Sequence, residues 1–258
     1  MKILRISLFA AAALLAATPA LADLKIGVAA EPYPPFTTKD ASGKWVGWEI
    51  DLVDALCAEM KEKCEIVETA WDGIIPALNA SKIDVIIASM AKNAKRREVI
   101  DFSNTYYTSA AVMMGAKNGD MDFSPEHLAG KTIGVQVSSI HAAYAEKYYG
   151  KTAKIQTYQS QDEVNQDLAA GRLDYVLANG TTLDAFLKSA QGGTFEAKGP
   201  VPFDAEILGE GAGAGIRKGD TALAGKLNAA LSTLAKGGKL DEISARNGLA
   251  GLIITPKE

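Results

Sequence analysis

The sequence predicts an α/β protein of two lobes built on one plan, joined by two crossing segments that serve as a hinge. Three observations carry this expectation. Leu78-Asn79-Ala80-Ser81-Lys82-Ile83-Asp84-Val85-Ile86-Ile87-Ala88 is echoed by Leu168-Ala169-Ala170-Gly171-Arg172-Leu173-Asp174-Tyr175-Val176-Leu177-Ala178. Each reads as a helix end, a basic residue in the turn, an Asp and a buried apolar strand. Ile26-Gly27-Val28 and Ile133-Gly134-Val135 precede these segments at similar offsets. Strand-length apolar runs also alternate with runs of helical period, which argues a mainly parallel sheet in each lobe. Lobes built alike usually hold something between them.

The first 22 residues read as a signal peptide. Lys2 and Arg5 form a positive start, Leu8 to Ala17 an apolar run, and Ala20-Leu21-Ala22 a small-x-small cleavage site. The apolar run is shorter than the roughly 18 residues a membrane span needs. Removing two cations takes the net charge from −4 to about −6. An acidic chain without a basic stripe argues against nucleic acid and anionic membrane surfaces as partners.

The mature chain opens with a strand over 24–29. Glu31-Pro32-Tyr33-Pro34-Pro35-Phe36 follows as a loop stiffened by prolines. Ser42-Gly43-Lys44 reads as a hairpin turn. Ile50, Leu52, Val53, Leu56 and Met60 mark the apolar stripe of a helix. A strand over 65–69, a short helix over 74–80 and a strand over 84–88 come next. The apolar segment 106–115 reads as one strand crossing between lobes. The second lobe then offers strands at 132–137 and 174–178 and helices at 139–148, 161–170 and 183–189. Segment 209–216 alternates Gly with other residues and returns the chain. Helices at 226–235 and 240–247 close it. The first lobe is expected over 23–110 and 212–258, the second over 111–211.

Cys57 and Cys64 are the only cysteines. An exported chain meets an oxidising compartment, where a disulfide is expected. They stand at the end of the amphipathic run 49–63, where a helix end and turn bring them together. A metal or redox pair would need further ligands or a CxxC spacing.

Ligands of parallel α/β sheets bind beyond the carboxyl ends of strands. Here those ends are 29–36, 88–96, 136–141 and 179–181. Arg96 offers a guanidinium for bidentate grip of a carboxylate, or is a surface residue of the Lys95-Arg96-Arg97 run. Ser138 and Ser139 open a helix whose free N–H groups favour an anion, or Ser139 is simply an N-cap. Tyr33 and Trp71 suit a flat, aliphatic or cationic group, or else pack in a core. Enzyme signals are thin. His127 and His141 are not metal-spaced, and no GxSxG, HExxH or P-loop occurs. Glu31, Glu49 and His141 are acid/base candidates that read more simply as solvated groups.

Certain stretches carry a resemblance to a known family. They are Tyr33-Pro34-Pro35-Phe36, Gly47-Trp48-Glu49-Ile50-Asp51-Leu52, Trp71-Asp72-Gly73-Ile74-Ile75-Pro76-Ala77-Leu78, Arg96 with Asp101-Phe102-Ser103 and Tyr106-Tyr107, and Ala170-Gly171-Arg172-Leu173-Asp174. Through them the mature chain resembles periplasmic solute-binding proteins of polar amino-acid ABC transporters, a group with lysine/arginine/ornithine-, histidine- and opine-binding members. The resemblance implies a type II-like periplasmic-binding-protein fold and a monomer. It further implies a small amino acid or opine-like ligand, an inner-membrane ABC permease as partner, no cofactor, and a disulfide spaced as Cys57 and Cys64 are.

It also implies a cleft. Arg96 would clamp the ligand carboxylate, with Ser139 donating to the same group. Tyr33 and Trp71 would flank the side chain. Ser89 and the carbonyl of Ala88, beside Met90, would meet the amine. Gln136 and His141 would neighbour the ligand, and Asn179 stands where many members place an Asp. Departures bear on ligand choice. Ala91 lacks a hydroxyl, Ile140 replaces a common Thr, and Asn179 is neutral, as in the opine binders. Glu31 is expected to take over the acid that reads the side chain. The same fold also hosts cyclohexadienyl-type dehydratases, which is the enzymatic alternative.

Overall fold

The computed structural model describes residues 23–256. The signal-peptide expectation, residues 1–22, lies outside the described residues. Leu24–Ala29 forms β1, whose last four residues are buried. Burial on both faces marks an interior strand. Thr38–Lys39 (β2) and Trp45–Val46 (β3) pair as the expected hairpin. Asp40 Oδ1 accepts from the amides of Ser42 and Lys44 in its turn.

Trp48–Met60 is α1, burying Ile50, Leu52, Val53 and Leu56. Cys64–Thr69 is β4, and a disulfide ties Cys57 in the last turns of α1 to Cys64 at the start of β4. A short 3-10 turn over Trp71–Gly73 leads into α2, Ile74–Asn79. Then come β5 (Val85–Ile86), α3 (Ala94–Arg97), β6 (Ile100–Tyr107) and β7 (Ala111–Ala116).

Further along lie β8 (Thr132–Gln136), α4 (Ile140–Tyr149), β9 (Lys154–Tyr158) and α5 (Gln161–Ala169). They are followed by β10 (Tyr175–Asn179), α6 (Gly180–Leu187), β11 (Phe195–Pro200) and α7 (Ala205–Leu208). The described chain closes with β12 (Ala212–Arg217), α8 (Thr221–Lys236) and α9 (Lys239–Arg246).

Two five-stranded sheets result, ordered β4-β1-β5-β12-β6 and β11-β7-β10-β8-β9. Each is mixed, not mainly parallel as expected. β1 runs parallel to β4 and β5, and β8 runs parallel to β9 and β10. β12 is antiparallel to β5 and β6, and β7 is antiparallel to β10 and β11. The antiparallel members are the strands next to the crossings, where the chain enters a sheet from the other lobe.

The sequence echo has a physical cause. Asp84 Oδ2 accepts from the Lys25 amide at 3.0 Å, and Asp174 Oδ2 accepts from the Thr132 amide at 2.8 Å. Each Asp ties the strand it precedes to the neighbouring first strand. A Cβ on Gly27 would lie 2.3 Å from Ile83, and one on Gly134 would lie 2.4 Å from Leu173. The Ile-Gly-Val and Lys/Arg-Ile/Leu-Asp pieces of the echo are therefore two halves of one packing contact, made once in each lobe.

Several boundaries differ from expectation. The segment 106–115 is two strands, β6 and β7, in different sheets. The chain leaves one ladder and enters the other at 108–110, where Thr108 pairs with Ile254 and Ala110 accepts from the Gly180 amide. The strand over 84–88 is regular only at Val85–Ile86, because Ser89 turns left-handed with φ 51°. α6 starts three residues early, capped by Asn179. β9 and β11 were not expected. Both end their sheet, and their polar content hides an edge strand's pattern. Helices cover both faces of each sheet, giving two packed clusters per lobe.

Candidate functional site

The carboxyl ends of β1, β4 and β5 face those of β8 and β10 across a cavity of about 460 Å³. Eleven of the twelve residues that the sequence puts at a ligand site line it: Glu31, Tyr33, Trp71, Ala88, Ser89, Arg96, Gln136, Ser139, Ile140, His141 and Asn179. Met90 does not. Its side chain is 1% exposed and packs in the core with Ile74 and Ile100, because the turn at Ser89 rotates the next residue inward.

Arg96 is presented by α3, where Asn93 Oδ1 accepts from its backbone amide. Its guanidinium is buried, with Nη1 donating to the Ala91 carbonyl at 3.0 Å and Nη2 to the Ser138 carbonyl at 3.2 Å. It lies 5.3 Å from the Trp71 ring centroid. Burial lowers its pKa to about 10, so it stays charged at neutral pH. No carboxylate among the described residues pairs with it. A buried guanidinium with five donors, two of them engaged by carbonyls, is suited to a carboxylate.

Trp71 spans the cleft as well. Its amide donates to Glu31 Oε2 at 3.0 Å, and its Nε1 donates to the Val137 carbonyl at 3.0 Å. Tyr33 stacks on Phe36, and Phe36 stacks on Tyr107 at 4.6 Å, so the aromatic wall is continuous with the core. Burial raises the Tyr33 hydroxyl to about 12. Tyr33 therefore remains a neutral phenol.

Across the cleft, Ser139 is the N-cap of α4, its Oγ accepting from the Ala142 amide at 3.0 Å. Gln136 is held by a bond from Nε2 to the Gln159 carbonyl. His141 is buried, and burial aided by the Arg96 charge lowers its pKa to about 3. It is a neutral imidazole at neutral pH. Asn179 caps α6, with Oδ1 accepting from the Thr181 amide at 2.9 Å and from Ser109 Oγ at 3.0 Å. Ile140 joins Ala111, Val201 and Leu208 in an apolar cavity wall.

Sequence reasoning missed the residues supplied by the crossings, Thr108, Ser109 and Glu210 among them, and the exposed Phe203. Nothing local marks them, since only the return of the chain between lobes brings them here. It also misjudged Glu49, which is fully buried rather than solvated. One signal was present: Glu49 lies three, four and seven residues before Leu52, Val53 and Leu56, on the buried stripe of α1. Among the described residues no group of three or more His, Cys, Asp or Glu is placed to hold a metal, and no helix is long and apolar enough to cross a membrane.

Comparison with known proteins gives concordant results. The family model of bacterial extracellular solute-binding proteins, family 3, matches residues 24–249. The chain is 40% identical over 222 residues to the L-arginine-binding protein of Pseudomonas aeruginosa, covering 85% of each chain. It is 38% identical over 242 residues to the octopine-binding periplasmic protein of Rhizobium meliloti, covering 84% of this chain and 82% of that one. An ancestral arginine-binding protein solved with arginine superposes with a TM-score of 0.78 at 33% identity, covering 87% of this chain and 97% of the other.

Proposed function

The chain belongs to the bacterial extracellular solute-binding proteins of family 3, and from that premise we propose that it is the periplasmic binding component of an ABC importer for a cationic amino acid or an opine-like derivative. One observation carries the ligand class. Arg96 is a buried cation, aimed into a cleft between two lobes and held by carbonyls instead of a carboxylate. It suits the carboxylate of an incoming ligand. Tyr33, Trp71 and Glu31 form an aromatic and acidic end that suits a guanidino or amino side chain. The family's binding of arginine and octopine by the relatives named above supports the same reading.

Binding proceeds by closure of the lobes on the ligand, a hinge motion about the crossings at 108–110 and 209–211. The loop 137–138 is the contact surface on the second lobe, since it accepts from both Trp71 and Arg96. We assign the first lobe to 23–110 and 212–258 and the second to 111–211. An inner-membrane permease then receives the ligand. The role is capture without turnover: a neutral His141 is a poor acid, and Glu31 is engaged by the Trp71 amide.

Calorimetric titration with L-arginine, L-lysine, L-histidine and octopine tests the reading. Saturable one-to-one binding of at least one of them, with the ligand recovered unchanged, is expected. Absence of binding across the panel, or conversion of the ligand, would overturn it.

A further inference from the structure

The amine end of the cavity lacks an ionised acceptor on its surface. Asn179 Oδ1 already accepts two hydrogen bonds, the capacity of an amide oxygen. Behind the surface stands Glu49, fully buried on α1, with no lysine, arginine or histidine among the described residues paired to it. Its Oε1 accepts from the Ser89 amide at 2.6 Å and from the Tyr106 hydroxyl at 2.5 Å. Its Oε2 accepts from the Ser89 hydroxyl at 3.1 Å. Ser89 is held left-handed at the cavity wall.

A serine hydroxyl has one proton. Here that proton points inward, to Glu49; the neighbouring Tyr107 hydroxyl is placed to take one Ser89 lone pair, and the other is left for the cavity. We propose that Glu49 is the positioning residue for the ligand's amine: it fixes Ser89 as an acceptor and supplies, through it, the negative charge that Asn179 does not. This inference rests on the amino-acid-binding reading above.

The geometry also gives the device a direction in pH. Oε1 receives two donors and Oε2 one, so a proton added to Glu49 takes Oε2. It then donates to Ser89 Oγ, and the Ser89 proton turns to the cavity, where it opposes an ammonium. The other titratable groups facing Glu49 are Tyr33, Tyr106 and Tyr107, each raised by burial and neutral throughout. Burial pushes the Glu49 carboxyl up to about 7, against the three bonds that favour its anion. A ligand ammonium beside Ser89 draws the equilibrium to the anion, so binding releases a proton near neutral pH.

The test compares L-arginine with its desamino analogue, the same guanidino acid without the α-amine. The native protein should prefer L-arginine by about tenfold or more at about pH 8, and the preference should shrink toward about pH 5. Glu49→Gln and Ser89→Ala should each lose that preference and its pH dependence while keeping the affinity for the analogue. A wild-type preference and pH profile in Glu49→Gln, or an equal loss for both ligands, would overturn the proposal. Proton release by the native protein, read by calorimetry in buffers of different ionisation heat, tests it without any variant. Release on binding L-arginine but not the analogue is expected, and equal release for both sinks it. Failure of the native protein to bind either compound would instead remove the binding reading itself.

Discussion

Arg96 of the first lobe donates through Nη2 to the carbonyl of Ser138 in the second, at 3.2 Å. The cation proposed to take the ligand carboxylate is thus also a contact across the cleft. In the proposed reading, grip on the carboxylate and closure of the lobes share one side chain.

Replacing Arg96 by Ala should therefore weaken carboxylate ligands by about 2–5 kcal/mol, because it leaves a buried anion without its partner. Arg96→Lys should recover only part of this, since an ammonium lacks the planar fork. Isothermal titration of the two variants measures both values. An affinity equal to that of the native protein in Arg96→Ala would remove this residue from the site.

Trp71→Phe keeps a ring in the wall but deletes the bond from Nε1 to the Val137 carbonyl. A neutral hydrogen bond contributes about 0.5–1.5 kcal/mol. Ligand affinity should fall by up to that amount, and small-angle scattering should show a more open average shape. A variant as closed and as tight as the native protein would show that this bond does not hold the lobes.

Asn179→Asp should leave α6 capped, since Asp is as good an N-cap as Asn. It adds an ionised acceptor, and charge-assisted bonds are roughly twice as strong as neutral ones. Affinity for a primary ammonium should rise relative to a secondary amine such as octopine. Competition titration of L-arginine against octopine reads the ratio, and a ratio unchanged by the substitution would refute the assignment.

Stability should carry the signature of Glu49. Its carboxyl titrates near 4.5 in its ordinary state and about 7 when folded, raised by burial. The folded protein holds the extra proton between these values, so stability falls as pH rises from about 4.5 to about 7. The loss is on the order of 3 kcal/mol. Glu49→Gln should flatten that slope in thermal melts, and a slope identical to the native one would exclude Glu49 as its source.

The Cys57–Cys64 bridge closes a short loop, with a sequence separation of 7. In the chain-entropy model such a loop is worth about 2–3 kcal/mol. The double Ala variant should melt several degrees lower with its ligand affinity preserved, because the bridge lies at the far end of α1 from Glu49. A loss of affinity at permissive temperature would contradict that separation.

The two-lobed plan was legible because each lobe repeats a packing contact that needs fixed residue types. Gly27 must admit Ile83, Gly134 must admit Leu173, and Asp84 and Asp174 must meet a strand amide. The loops at the strand ends were legible for the same reason, as topology places them together whatever their side chains. The split of 106–115 into two strands was not, because an apolar run looks alike in one sheet or two. Met90 and Glu49 were misplaced because a single left-handed turn and a single buried helix face decide their direction.

Sequence by itself determined most of the elements, β9, β11 and the split of 106–115 excepted, and that their plan recurs, since these follow from periodicity and from a residue pattern repeated in each lobe. Tertiary structure alone decided the electrostatics of the cleft. It seated Arg96 and Trp71 against the Val137–Ser138 carbonyls, satisfied Asn179 with Ser109 and Thr181, and enclosed Glu49 behind Ser89. Charge and hydrogen-bonding capacity depend on burial and on partners distant in sequence, and those exist only once the lobes are packed.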